Sequence, residues 1–321
     1  ESHRWAHEYR AEALLAVGDV EAALNDLIWV MHARPGDLDW IYEWSKKLAD
    51  SGEPVAALAL CDAYEEQTPG EPEIRLQRFY FLELLSDYEA IYTGLQKAVT
   101  EFPDIPEFKL QWAQMLRATN QDDAALATLL EVISADPSNG TAQLDLAHVY
   151  TALNEISLAQ EALLIAFASP DVFIEEKREI LLQYLQIAAV NPDLNPMVEA
   201  LLEAALGQHP KSAELNMLAA DFEQGQGRID AAIMHTKAAI EANPADPSTW
   251  TNLIALDADL GRFEDMFSHA AQAMDLFPLE ANFAYYAGVA AIQIGDFTTV
   301  ISVLERGIGA VLDAPEMEGL M

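Results

Sequence analysis

The chain has 321 residues, 51% of them apolar and 22% charged, with 15 glycines and 15 prolines, a profile of a folded, mostly helical protein that excludes intrinsic disorder. Its 17 Lys and Arg against 53 Asp and Glu leave a formal net charge of −36, which repels nucleic acid and anionic lipid over most of the surface and excludes both as partners. No apolar run reaches the roughly 18 to 20 residues of a spanning helix, which excludes direct membrane insertion.

The chain opens at Glu1 where an initiator Met would stand, so we expect that an upstream segment, such as an export signal, has been removed. In the first helix His3 and His7 stand four apart and could share a face with Glu8 beside them. A structural zinc site wants four ligands, and the metalloprotease motif wants Glu directly after the first His, where Arg4 stands. Exposed terminal histidines are therefore expected, with no metal and no cofactor. Further on, Cys61 has no second cysteine to pair with, and its neighbours Ala59, Leu60 and Tyr64 point to a buried, unreactive side chain.

Helix breakers set the rhythm of the rest. Pro35, Pro69, Pro103 and Pro137 stand 34 residues apart, and Pro210, Pro244 and Pro278 resume the step. Seventeen places before Pro35, Pro69, Pro103, Pro137, Pro244 and Pro278 fall Gly18, Gly52, Ser86, Asn120, Gly227 and Gly261, and Gly295 follows one period after Gly261; these are the expected turns inside the units. A fixed period of this length is the mark of helix-turn-helix units that stack on their neighbours. Small residues recur where two helices must cross closely: Ala23, Ala57, Ala125, Ala159 and Ala232 in the second helix, and Ser45, Ala113, Ala147, Ala220 and Gly288 in the first.

Nine units follow, at 4–37, 38–71, 72–105, 106–139, 140–172, 173–212, 213–246, 247–280 and 281–314. The sixth is irregular: the step from Pro170 to Pro210 is 40, with a long helix expected from Ile174 to Val190 and the breakers Asn191, Pro192 and Pro196 before the next. Asp136, Ser138 and Gly140 have part of the spacing of a calcium loop, but its twelfth position would be Ala147 instead of a bidentate Glu, so an ordinary turn is expected. Pro315 to Met321 reads as the opening of one more helix without a polar cap, from which we expect the parent protein to continue.

The whole pattern resembles the tetratricopeptide repeat. Unit 247–280 carries that family's signature as Trp250, Leu253, Gly261, Ala273 and Pro278, and unit 38–71 carries it as Ser45, Leu48, Gly52, Ala57 and Pro69. Ile91, Met266 and Val300 depart from the family's Ala in the second helix, and Arg10 and Arg78 from its Leu, so looser packing is expected in those units. The resemblance implies an all-α, right-handed superhelical solenoid whose first helices line a concave groove. It also implies, position by position, that Tyr42, Lys46, Gln77, Tyr80, Gln114, Arg117, Asp145, His148, Asp221, Asn252 and Tyr285 face a partner there. The family's Lys, Asn and Arg clamp for acidic chaperone tails is not matched, since Lys46 and Arg117 are its only basic candidates. Long repeat proteins of this type in bacteria are often exported, which favours an envelope location over the cytoplasm.

No phosphate-cradling glycine loop, nucleophile elbow or metal motif is present, so no catalysis is expected. The expected function is a scaffold or adaptor that holds a neutral or basic protein segment. The alternatives are a regulatory or substrate-recruiting arm of a larger multidomain enzyme or of a secretion or envelope assembly, and a spacer with an empty groove. Self-repulsion of the acidic surface favours a monomer.

Overall fold

The computed structural model describes residues 3–312, so the expectations attached to Glu1 and to Pro315–Met321 lie outside the described residues. The chain divides into two compact units, 1–159 and 160–321, and no strand occurs among the described residues. Each unit is an all-α array of stacked helix pairs, the helical-repeat solenoid class.

The first unit pairs α1 (Arg4–Ala16) with α2 (Val20–His32), α3 (Leu38–Asp50) with α4 (Pro54–Gln67), α5 (Pro72–Leu84) with α6 (Tyr88–Glu101), and α7 (Pro106–Ala118) with α8 (Asp122–Ala135), and then adds α9 (Gly140–Ala152). The division between units falls inside α10 (Ile156–Ala168). The second unit pairs α11 (Ile174–Val190) with α12 (Asn195–Gln208), α13 (Ala213–Gly225) with α14 (Ile229–Ala242), α15 (Pro247–Asp259) with α16 (Phe263–Leu276), and α17 (Ala281–Gln293) with α18 (Phe297–Leu312). The long helix expected at Ile174–Val190 is α11, and Pro192–Leu194 makes a single 3₁₀ turn. Pro196 lies in the first turn of α12 rather than before it, where a missing N–H costs nothing.

Except between α11 and α12, where the 3₁₀ turn makes the connection, each turn between paired helices hangs on one left-handed residue. Gly18, Gly52, Gly227, Gly261 and Gly295 have φ of 82°, 85°, 74°, 66° and 80°, and Ser86, Asn120 and Asn154 take the same region at 57°, 57° and 61°. The next amide then reaches back to satisfy a helix-end carbonyl: Glu53 to Leu48 at 3.0 Å, Asp87 to Leu82 at 2.9 Å, Gln121 to Leu116 at 2.8 Å. Carboxylates and an amide cap the helices that follow, as Asp37 accepts from the Trp40 amide at 3.2 Å, Asp87 from Ala90 at 3.1 Å and Asn139 from Ala142 at 2.8 Å. The turn at Asp136 is the ordinary kind, its carboxylate accepting from the Ser138 amide at 3.0 Å and hydroxyl at 2.7 Å.

Stacking comes from the second helix of a pair packing on the first helix of the next: α4 on α5, α6 on α7 and α8 on α9, and likewise α12 on α13, α14 on α15 and α16 on α17. A polar staple recurs six residues after the period proline, where Gln143, Asn216 and Trp250 donate a side-chain N–H to the carbonyls of Pro137, Pro210 and Pro244 at 2.9, 3.0 and 3.1 Å. Apolar clusters span neighbouring pairs, with Leu27, Met31, Ile41, Leu48, Leu60 and Tyr64 in one buried cluster and Trp250, Ile254, Met274 and Phe283 in another. Each such side chain contributes about 1.5–3 kcal/mol by leaving water.

The departures from the repeat pattern do not loosen the arrays uniformly. Met266 is buried in its core cluster. Arg10 spans to Asp26, its Nε donating at 2.5 Å, and Arg78 holds Asp62 at 2.5 Å and Glu65 at 2.7 Å, so both replace an apolar contact with ion pairs. Val300 is half-buried, and around Ile91 the packing opens.

Candidate functional site

The first helices of the pairs present the residues assigned to a groove, and the structure sorts those residues into exposed and committed ones. In the first unit Tyr42 on α3 and Tyr80 on α5 are 51% and 52% exposed, and Lys46 is exposed one turn from Tyr42. Large aromatic rings left half in water on a folded surface are costly unless something covers them.

Gln77 and Asp145 are instead buried. The Gln77 amide donates to the Ser45 hydroxyl at 2.9 Å, tying α5 to α3. Asp145 on α9 accepts from Gln114 at 2.9 Å and Arg117 at 3.2 Å on α7, so these three side chains join neighbouring repeats. His148, exposed on the same face of α9, has its pKa pushed below the usual histidine value by desolvation and then by the Arg117 guanidinium. In the second unit Asp221 on α13, Asn252 on α15 and Tyr285 on α17 are all exposed. Desolvation raises the Asp221 carboxyl above the ordinary carboxylate range.

One feature of this face was not anticipated from the sequence. Between α5, α6 and α7 lies a cleft of about 600 Å³, with Phe79, Ile91, Leu95 and Met115 as its apolar walls. Tyr80 and Tyr88, 52% and 59% exposed, stand at its edge with Glu83, Gln111 and Gln114. Its origin is local. The register that places fully buried Ala23, Ala57 and Ala125 in other second helices places Ile91 here, and the branched side chain holds α6 off α5. Three residues on, Gly94 makes room for Phe79: a Cβ at Gly94 would sit 2.6 Å from Phe79 Cε1. The signal in the sequence was the pair Ile91 and Gly94, one departure toward bulk and one toward nothing.

His3 is exposed as expected, but His7 is half-buried, pairing with Asp26 at 2.7 Å and stacking on Trp29 at 4.0 Å between ring centres. Among the described residues no cluster of three or more metal-binding side chains occurs. Cys61 is fully buried, and burial pushes its thiol up to about 12.

A model of the tetratricopeptide repeat matches residues 199–247. No curated protein matches the chain. Among solved structures it is similar to MamA, at 14% identity over 65% of this chain and 97% of that one with a TM-score of 0.33. It is similar to YrrB, described as a repeat protein of the same type with an unusual peptide-binding site, at 17% identity over 68% and 93% with a TM-score of 0.33. It is also similar to PilW, a type IV pilus biogenesis factor, at 18% identity over 68% and 98% with a TM-score of 0.35. At TM-scores this low the likenesses add nothing to the helix pairs and their period.

Proposed function

We propose that the chain is a tetratricopeptide-repeat protein and acts as a non-catalytic scaffold that takes an extended protein segment across the first helices of its pairs. The observation that carries this reading is the exposure of Tyr42 and Tyr80 on successive first helices, α3 and α5, within one stack. Aromatic rings of this kind supply most of the energy of protein recognition when a partner covers them. The partner is neutral or basic, since a chain of net charge −36 attracts cationic segments and repels acidic ones.

Panning a phage-displayed library of random 12-residue peptides on the whole chain tests this. The wild type enriches discrete peptides, and Tyr42→Ala with Tyr80→Ala, folded by circular dichroism, loses them. Peptides retained equally by the double variant, or no enrichment on the wild type, would overturn the proposal.

A further inference from the structure

We propose that the cleft between α5, α6 and α7 is an anchor pocket, taking a bulky apolar side chain of an extended peptide that carries a Lys or Arg beside that anchor. The inference rests on the reading of the first-helix face as a binding surface and adds a position and a chemistry to it.

Three observations carry it. The cavity, about 600 Å³, lies within the roughly 300–1,000 Å³ of ordinary ligand sites, well beyond the few ångströms of slack between packed helices. Its walls are apolar while its edge is not: Phe79, Ile91, Leu95 and Met115 offer nothing to hydrogen-bond, whereas Gln111 and Gln114 can meet a peptide backbone. An apolar pocket with a few polar groups at the mouth is the form that receives a side chain and orients the chain it comes from.

The charge at the mouth selects the neighbour of that side chain. Glu83, at the edge of the cleft, is exposed and belongs to none of the ion pairs among the described residues. The one basic side chain of α7 on this face, Arg117, is held by Asp145. A cation next to the anchor therefore finds the Glu83 carboxylate and no competing guanidinium. The cleft is bounded by first-helix residues Tyr80, Gln111 and Gln114, and Tyr42 lies on the preceding first helix, so a peptide anchored here continues along the proposed groove.

The test uses the whole chain, the panned 12-residue peptides and three variants. Ala118→Trp fills the mouth from an exposed position without touching the core, Glu83→Lys reverses the charge, and Tyr42→Ala removes the groove contact on the neighbouring helix. Circular dichroism confirms folding, and fluorescence anisotropy of labelled peptides gives the affinity. The expected result is that enriched peptides share an aromatic or large aliphatic residue within two positions of Lys or Arg, that Ala118→Trp weakens them at least tenfold, and that Glu83→Lys weakens them at least fivefold. Replacing the peptide's own anchor with Ala should remove the sensitivity to Ala118→Trp.

Peptides weakened by Tyr42→Ala but indifferent to Ala118→Trp and Glu83→Lys would overturn the pocket and leave the groove standing. Enrichment of no peptide would overturn both. Binding of free indole, displaced by Ala118→Trp, in the absence of any peptide would overturn the proposal in favour of a small-molecule pocket.

Discussion

Replacing Ser86 with Gly should stabilise the protein, and the expected size follows from the backbone alone. Ser86 holds φ at 57°, where an L residue pays about 1–2 kcal/mol for the approach of Cβ to the following carbonyl. Gly removes that cost but adds about 0.4–1 kcal/mol of conformational freedom in the unfolded chain. The net gain for Ser86→Gly is about 0.5–1 kcal/mol. Gly52 occupies the equivalent turn at φ 85°, and a Cβ built there meets nothing within 4 Å, so Gly52→Ala isolates the same backbone effect with opposite sign and should cost about 0.5–1 kcal/mol. Asn tolerates this region through its own short polar side chain, so Asn120→Gly, at φ 57°, should change stability by less than about 0.5 kcal/mol. Urea unfolding followed by circular dichroism gives the totals. Native-state hydrogen exchange in α3 to α6 places them, because stacked repeats can open piecewise. A neutral or destabilising Ser86→Gly, or a Gly52→Ala without cost, would refute the claim that one left-handed residue sets these turns.

The crossing of α17 and α18 is as close as backbones allow: a Cβ at Gly307 would lie 2.6 Å from that of Ala284, so Gly307→Ala should cost about 1–3 kcal/mol in the same unfolding assay. Gly309→Ala, on the same helix with open space around it, should instead gain up to about 1 kcal/mol. The hydrogen bond from Arg10, together with that from His7, outweighs desolvation and holds the Asp26 carboxyl below the usual carboxylate range. A depressed folded pKa gives stability that is complete above the unfolded value near about 4 and is lost as pH falls through the folded one. Arg10→Leu should therefore lower the urea midpoint at pH 7 and flatten its decline below pH 4. Cys61, with its thiol raised to about 12, should react with a disulfide reagent at pH 8 only as fast as the protein opens, and rapidly in urea.

How much of this could be read from the sequence differs between backbone and side chains. The turns were legible because a left-handed residue leaves a trace in residue type: Gly at most positions and Ser86 or Asn120 at others. Asn154, one period after Asn120, completes the series although nothing else marked it. The ends of α11 were legible for the same reason, since Asn191 and Pro192 stop a helix by their own chemistry. The exposure of a polar residue was not, because it depends on what stands a repeat away. Gln77 is buried since Ser45 lies opposite to accept its proton, and Asp145 since Gln114 and Arg117 reach it from the preceding repeat. The cleft was hidden more deeply, because one bulky residue at Ile91 reads as looser packing until Gly94 and Phe79 are seen to hold the gap in a defined shape.

The most direct test of the account is to locate a bound peptide on the surface. A panned 12-residue peptide carrying a photoreactive group at either end, cross-linked to the whole chain and mapped by mass spectrometry, reports the residues it touches. The account predicts adducts confined to the exposed faces of α3, α5 and α7, around Tyr42, Tyr80 and Gln111, and to the edge of the cleft at Tyr88 on α6. Adducts on α2, α4 or α8, or scattered over the chain without a common face, would contradict it.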